Sequence, residues 1–572
     1  MWYWKNAARF RAEQDAIRAL EAEVDWLRLD GWRIEASSHL CADAEINVSG
    51  RLFPITLRYS LNFPFTPPSV QPREPERWSD HQYGRGELCL EYGPDNWHQE
   101  LTGAEMLRSA ERLLRLQKGQ KTPEESVPSR HSATVGQDLR QEFARLVVTQ
   151  ALFEFLRDAA VGVTMRVKYR AMLRDKSYTI APTEVQLPNC EPWIDTSVPA
   201  ALKRFSYEWA GLGLVLPPQS VGLPDFNTGD EVRAHLQNAG LVSPEGYAPE
   251  DIEFVLTGTA GTPILYWLGK DDTVFRCSTI MPSGGQRLDT DHLVLAQKKI
   301  GIVGCGSVGS KIAVMLARSG ARSFLLIDDD VLTPENLVRN ELDWASMGEH
   351  KVDAVARRIA LVAPGVTCDL RRQRLGGQES NGVNDWALTL LASCDVIVDA
   401  TADPRVFNLL SSVAEVAKRT VIWAEVFGGG IGGLVCRSRH GLDPAPQTLR
   451  ARVHAWCVER KEPAPAAGPR YEDSANGPVL IADDADVTVI AAHAARLCVD
   501  ALIGRTPSLF PVSAYFIGLA KGWIFDQPFQ TFPIDVGGPD AAQQADIVPD
   551  PAHIEALTQL ISNGADETAS AP

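Results

Sequence analysis

The stretch "IGIVGCGSVGSKIA", residues 300–313, constrains this chain more than any other. A short apolar run suited to a buried strand passes into Gly304, Gly306 and Gly309, and a helical pattern follows. Such glycines permit a tight turn and let the backbone approach a phosphate or ribose, and the start of the helix favours negative charge. Asp328 ends the next apolar run, "SFLLIDDD", about 20 residues on, where a carboxylate can hold ribose hydroxyls. The alternation continues through "HKVDAVARRIALVAP", "CDVIVDATAD" and "TVIWAEVFGGG", which predicts a parallel, doubly wound sheet. A nicotinamide dehydrogenase would share all of this. The segment "DDDVLTPENLVRNELDWASMGEHK" separates the cases, because it adds Asn336, Arg339, Asn340 and Lys351 after the second strand. Cations in that place suit phosphate charge developing during ATP cleavage.

At 572 residues the chain is too long for one core, so three or four domains are expected. A formal charge of -17 argues against general affinity for nucleic acid or an anionic membrane. The ten cysteines are scattered with no C-x-x-C pair, which fits a reducing compartment and excludes a disulfide framework. No secretory segment and no apolar run of membrane length is found, so a cytoplasmic location is expected.

Toward the N-terminus, Phe10, Ile17, Leu20, Val24 and Leu27 fall near one helical face, and "WRIEASSHL", "AEINVSG" and "LFPITLRYSL" alternate as strands. This predicts one helix feeding an antiparallel meander. The proline-rich "FPFTPPSVQPREP" is expected to be a rigid connection outside the sheet. A helical run, "TGAEMLRSAERLLRLQ", and a polar linker, "KGQKTPEESVPSRHS", come next. "LRQEFARLVVTQALFEFLRDAA" reads as a helix, and short strands follow it without a catalytic constellation.

The later motifs, from about Gln286 to Gly504, resemble the ubiquitin-activating superfamily, which includes the bacterial ThiF-type adenylating enzymes of thiamine and molybdopterin biosynthesis. The resemblance implies that Asp328 binds ribose and that Asn336, Arg339 and Lys351 hold the triphosphate of ATP, with Asp330 and Asn340 in the same nucleotide set. The family's Thr-Asp-Asn reads Thr401-Ala402-Asp403 here, so Asp403 is the implied Mg2+ ligand and Asp399 its alternative. Arg287, in "GGQRLD", takes the place of a family arginine that reaches into a partner subunit's site, which implies a homodimer.

Residues 10–115 resemble a ubiquitin-conjugating enzyme. "FPFTPPSV", Gly86-x-x-Cys89-Leu90, Trp97, Leu101 and Thr102 match that family's segments and offsets. Cys89 is then the implied thioester nucleophile. The family's His-Pro-Asn aligns with Ser79-Asp80-His81, leaving His81 to donate a hydrogen bond or accept a proton from the attacking amine.

An activating enzyme's own acyl carrier is expected before the helix "DVTVIAAHAARLCVDALIG". That position falls near Ser474 in "YEDSANGP", and Cys457, in "HAWCVERKEPAPAAGP", is the better nucleophile by chemistry; direct transfer to Cys89 is the third route.

The expected architecture is an α/β multidomain chain. A ubiquitin-conjugating α+β fold occupies 1–118, a linker and connector domain 119–285, a Rossmann-like doubly wound adenylation domain 286–540, and an acidic, partly disordered tail 541–572. The pairing resembles the fused enzymes of bacterial antiphage (CBASS-type) and related operons. It implies a ubiquitin-like partner ending in glycine and a target protein, which in some such systems is a cyclic-nucleotide synthase. The alternative is a sulfur-carrier adenylating enzyme of cofactor biosynthesis, which would not need Cys89.

Overall fold

The structure, a computed structural model, describes residues 1–78, 82–83, 86–117, 134–216, 226–243, 252–259, 262–285, 287–377, 381–460, 482–540 and 550–558. His81, Ser474, the 118–132 linker and most of the tail lie outside the described residues; 551–558 are helical. The chain divides into two compact units, Met1–Gln141 and Glu142–Pro572.

In the first unit, α1 (Trp2–Lys5) and α2 (Ala7–Glu23) precede four strands, β1 (Leu27–Ile34), β2 (Leu40–Val48), β3 (Arg51–Arg58) and β4 (Ser69–Pro72). These pair antiparallel in sequence order, and α3 (Gly103–Gln117) and the short α4 (Val135–Asp138) follow. Part of the proline-rich segment therefore does join the sheet: Val70 pairs with Leu57 and Pro72 with Ile55. Proline is tolerated because β4 is an edge strand. The core behind the sheet packs Ile17 and Leu20 of α2 against Ile46, Ile55 and Leu57, with Leu107 and Ala110 of α3.

The second unit opens with β5 (Ala144–Val147) and α5 (Gln150–Asp158), where a single helix was expected. Ala144, Leu146 and Val148 are buried alternately, the period of a strand. Thr149 then starts the helix, its hydroxyl accepting from the Leu152 amide at 3.0 Å. β6 (Thr164–Arg174), β7 (Ser177–Gln186), β8 (Trp193–Ile194), β9 (Tyr207–Leu216), α6 (Gly229–Asn238), β10 (Ile252–Thr259), β11 (Thr262–Gly269) and β12 (Val274–Ile280) complete this part. The sheet order is β5-β12-β11-β10-β9-β6-β7, and β7 pairs back onto β5, so the strands close into a barrel with β8 appended.

The third sheet starts with β13 (Lys299–Val303), α7 (Ser307–Arg318), β14 (Ser323–Ile327), α8 (Lys351–Val362), β15 (Thr367–Arg371), α9 (Asn381–Ala392), β16 (Val396–Asp399), α10 (Pro404–Ala417) and β17 (Thr420–Val426). Its strands lie in the order β15-β14-β13-β16-β17 and all run parallel, the doubly wound arrangement with a switch of direction between β13 and β16. An antiparallel extension follows, made of β18 (Gly432–Ser438), β19 (Ala514–Gly518) and β20 (Thr531–Ile534). Between β18 and β19 come α11 (Pro446–Glu459) and α12 (Asp484–Ile503), the latter packed on α7. Among the described residues, no helix is long and apolar enough to cross a membrane.

Candidate functional site

The glycine turn sits at the carboxyl end of β13. Gly304 has a φ of +87°, and a Cβ on Gly309 would lie 1.8 Å from the Gly304 carbonyl oxygen, so neither position tolerates a side chain. Gly306 caps α7, and a Cβ there would meet nothing within 4 Å. The turn therefore requires Gly304 and Gly309 for its own geometry, whereas Gly306 faces open space.

Asp328, at the end of β14, accepts from the Cys305 amide at 2.6 Å and from the Asp330 amide at 2.8 Å. Burial pushes its carboxyl above the usual range, against the pull of those amides and of Lys351. The Lys351 ammonium lies 2.7 Å from an Asp330 carboxylate oxygen. Asn336 closes the turn between them, its Oδ1 accepting from the Thr333 amide at 3.1 Å. Asn340 is buried and bonds the Leu342 amide through Oδ1, with its Nδ2 3.5 Å from the Cys305 carbonyl. Arg339 follows that turn. The fold thus links the glycine turn, Asp328, Asp330, Asn340 and Lys351 at the end of the sheet, while Asn336 and Arg339 lie on the turn that connects β14 to α8.

Asp399 ends β16 and accepts from the Thr401 amide and hydroxyl at 3.0 and 2.7 Å. Burial lifts its carboxyl to about 6. Asp403 caps α10 and pairs with Arg405 at 2.7 Å. Two oxygen donors, one of them a buried carboxylate without a basic partner in ion-pair distance among the described residues, suit a hard cation. The close group of three acidic ligand atoms among the described residues is instead Asp328, Asp329 and Asp330. Arg287 is exposed and donates to the Ser283 hydroxyl at 3.3 Å.

Sequence reading missed Lys311 of α7, a buried lysine whose ammonium lies 2.7 Å from Asp484 at the start of α12 and 3.9 Å from Glu341. It also missed Glu425 of β17, whose carboxyl is raised by burial. The available signal was a charge inside an apolar pattern, in "SKIA" and in "TVIWAEV".

In the first unit, Leu88 and Leu90 enter the core, and Cys89 between them does not join that cluster. The thiol is nonetheless only 1% exposed, and the Tyr83 hydroxyl donates to its Sγ at 3.5 Å. A cleft of about 580 Å³ beside it is lined by Arg58, Asn62, Tyr83, Glu87, Tyr92 and Asp95. Trp97 donates to the Pro64 carbonyl at 2.8 Å, and Thr102 starts α3 by donating its amide to Glu105 at 2.8 Å.

Cys457 requires a correction. Expected to be an available nucleophile beside a proline-alanine-rich stretch, it lies on the inner face of α11 at 1% exposure, within the core formed with Leu449, Val453 and Phe516. Burial raises its thiol pKa, the opposite of what an acyl carrier needs. Cys498 is likewise in the core.

Residues 287–468 match the ThiF family. The chain is 40% identical over 123 residues to the uncharacterized protein y4qC of Sinorhizobium fredii, covering 21% of each chain. It is 28% identical over 142 residues to the ATP-dependent ubiquitin transferase-like protein Cap2 of Pseudomonas aeruginosa, covering 22% of this chain and 23% of that one. With the adenylyltransferase and sulfurtransferase UBA4 of Debaryomyces hansenii it shares 27% over 192 residues, 33% of this chain and 38% of that one. The match thus spans between about a fifth and two fifths of these relatives.

Proposed function

Taking a ThiF-family domain at residues 287–468 as the premise, we propose that this chain is a bacterial, CBASS-type enzyme that activates and conjugates a ubiquitin-like protein. The modifier's C-terminal glycine carboxylate attacks the α-phosphate of ATP; a P–O bond forms, the bond to pyrophosphate breaks, and an acyl-adenylate results. The Cys89 thiolate then displaces AMP, and an amine of the target protein displaces the thiol to give an amide. The observation that supports the reading is the chain of contacts from the Cys305 amide through Asp328 to Asp330 and Lys351, which sets a partly buried carboxylate and a lysine ammonium on one rim. Asp328 holds the ribose, and Asn336, Arg339 and Lys351 orient the phosphates. Asp403, or Asp399 as its alternative, is the residue to hold Mg2+, which when bound would supply positive charge against the phosphates. Arg287 completes the partner subunit's site in a homodimer. Cys89 is loaded directly, or through Ser474 as an oxyester.

The test is ATP–pyrophosphate exchange with a Gly-terminated ubiquitin-fold protein encoded beside this chain. Lys351→Ala lowers exchange about a hundredfold or more, the scale seen when one charge-stabilising donor is removed. Cys89→Ala leaves exchange intact and abolishes the thiol-sensitive adduct. A thiol-sensitive adduct that persists in Cys89→Ala defeats the conjugation step and favours the second reading, a sulfur-carrier adenylating enzyme, to which the likeness to UBA4 points.

A further inference from the structure

Lys351 occupies an unfavourable place. It is the first residue of α8, where the helix dipole repels a cation, and its side chain is only 9% exposed. Local structure shows how that placement is sustained. Residues 330–332 and 348–351 run antiparallel: the Lys351 amide donates to the Asp330 carbonyl at 2.9 Å, Leu332 to Glu349 at 2.9 Å, and Gly348 to Leu332 at 3.0 Å. Val331 and His350 form a bridge in the same register. This ladder fixes Asp330 opposite Lys351, and the carboxylate meets the ammonium at 2.7 Å. The Asp330 amide is in turn held by Asp328, whose other oxygen takes the Cys305 amide of the glycine turn. The pair is asymmetric, since the Asp330 side chain is 59% exposed while the lysine is nearly covered.

We infer that Asp330 is not a nucleotide ligand but a positioning residue, which aims the Lys351 ammonium at the phosphates by holding it from the solvent side. The inference rests on the nucleotide reading above and assigns Asp330 a role within it. The ladder holds the Asp330 backbone opposite Lys351, and a carboxylate oxygen is engaged by that ammonium. Lys351 can keep this one partner and still offer its remaining N–H groups, because an ammonium carries three donors.

Calorimetric titration of the full chain with ATP and, separately, with adenosine distinguishes the roles. Asp330→Asn is expected to weaken ATP binding about tenfold or more, the scale of a lost charged hydrogen bond, and to leave adenosine affinity unchanged. Asp330→Glu, which keeps the charge, recovers most of the ATP affinity and shows that the effect is not a folding defect. Equal losses for ATP and adenosine would make Asp330 a ribose ligand and overturn the inference. Tighter ATP binding in Asp330→Asn would make the carboxylate a competitor of the phosphates, which also overturns it. Failure of the unaltered chain to bind ATP would instead bring down the nucleotide reading itself.

Discussion

Single residues around the glycine turn carry separable duties. Because a Cβ on Gly309 would lie 1.8 Å from a carbonyl oxygen, Gly309→Ala is expected to cost at least about 3 kcal/mol in denaturant unfolding. Gly306→Ala has room and keeps the fold, yet it places a methyl where the backbone meets open space, so the loss there is in ATP affinity and not in unfolding midpoint. Asp399 gives a pH signature. Its folded carboxyl keeps a proton up to about 6, whereas an unfolded one releases it near 3.8. The folded state therefore binds more protons between these values, and stability falls as pH rises through that window, with the penalty complete above it. A displacement of this size corresponds to about 3 kcal/mol. Asp399→Asn should raise the Tm at neutral pH and flatten the dependence between pH 4 and 6; an unchanged Tm at pH 7 would contradict the assignment.

At the level of elements, what the sequence disclosed followed the reach of its periodicities. The strand, glycine turn and helix at residues 299–318 were legible because apolar spacing and turn chemistry agree there. β5 was not, because Ala144–Val147 runs directly into the apolar face of α5 and only the Thr149 cap divides them. Cys457 was misread for a related reason: a proline-rich neighbour suggested exposure, while the helical spacing of Leu449, Val453 and Cys457 already described a buried stripe. Nothing in spacing announced that Arg437 of β18 meets Asp500 of α12 at 2.6 Å, both side chains within 1% of full burial. Ser508 donates to the same carboxylate at 2.7 Å, which, with that pair, holds Asp500 below the usual range against the cost of burial. Arg437→Met is expected to cost about 3–5 kcal/mol by stranding that charge, as read from chemical denaturation. Replacing both partners by apolar residues of similar volume should cost much less, and equal costs would show that the pair is incidental.

On the scale of the whole molecule, the two units divide the chemistry. The second brings together residues that suit a nucleotide, and the first carries a cysteine beside a cleft. The barrel within the second unit is the part that pattern reading left without a shape, because closure depends on pairings between segments far apart in sequence. Ala144–Val147 lies between β7 and β12, and it meets β12 through residues 278–280. A ribosome must therefore deliver more than a hundred further residues before the first strand of the ring gains its second neighbour, and the entropy of joining such distant ends is met before any reward. Until then the nascent ring carries two raw borders, the state in which a growing polypeptide is most open to sticking to others of its kind.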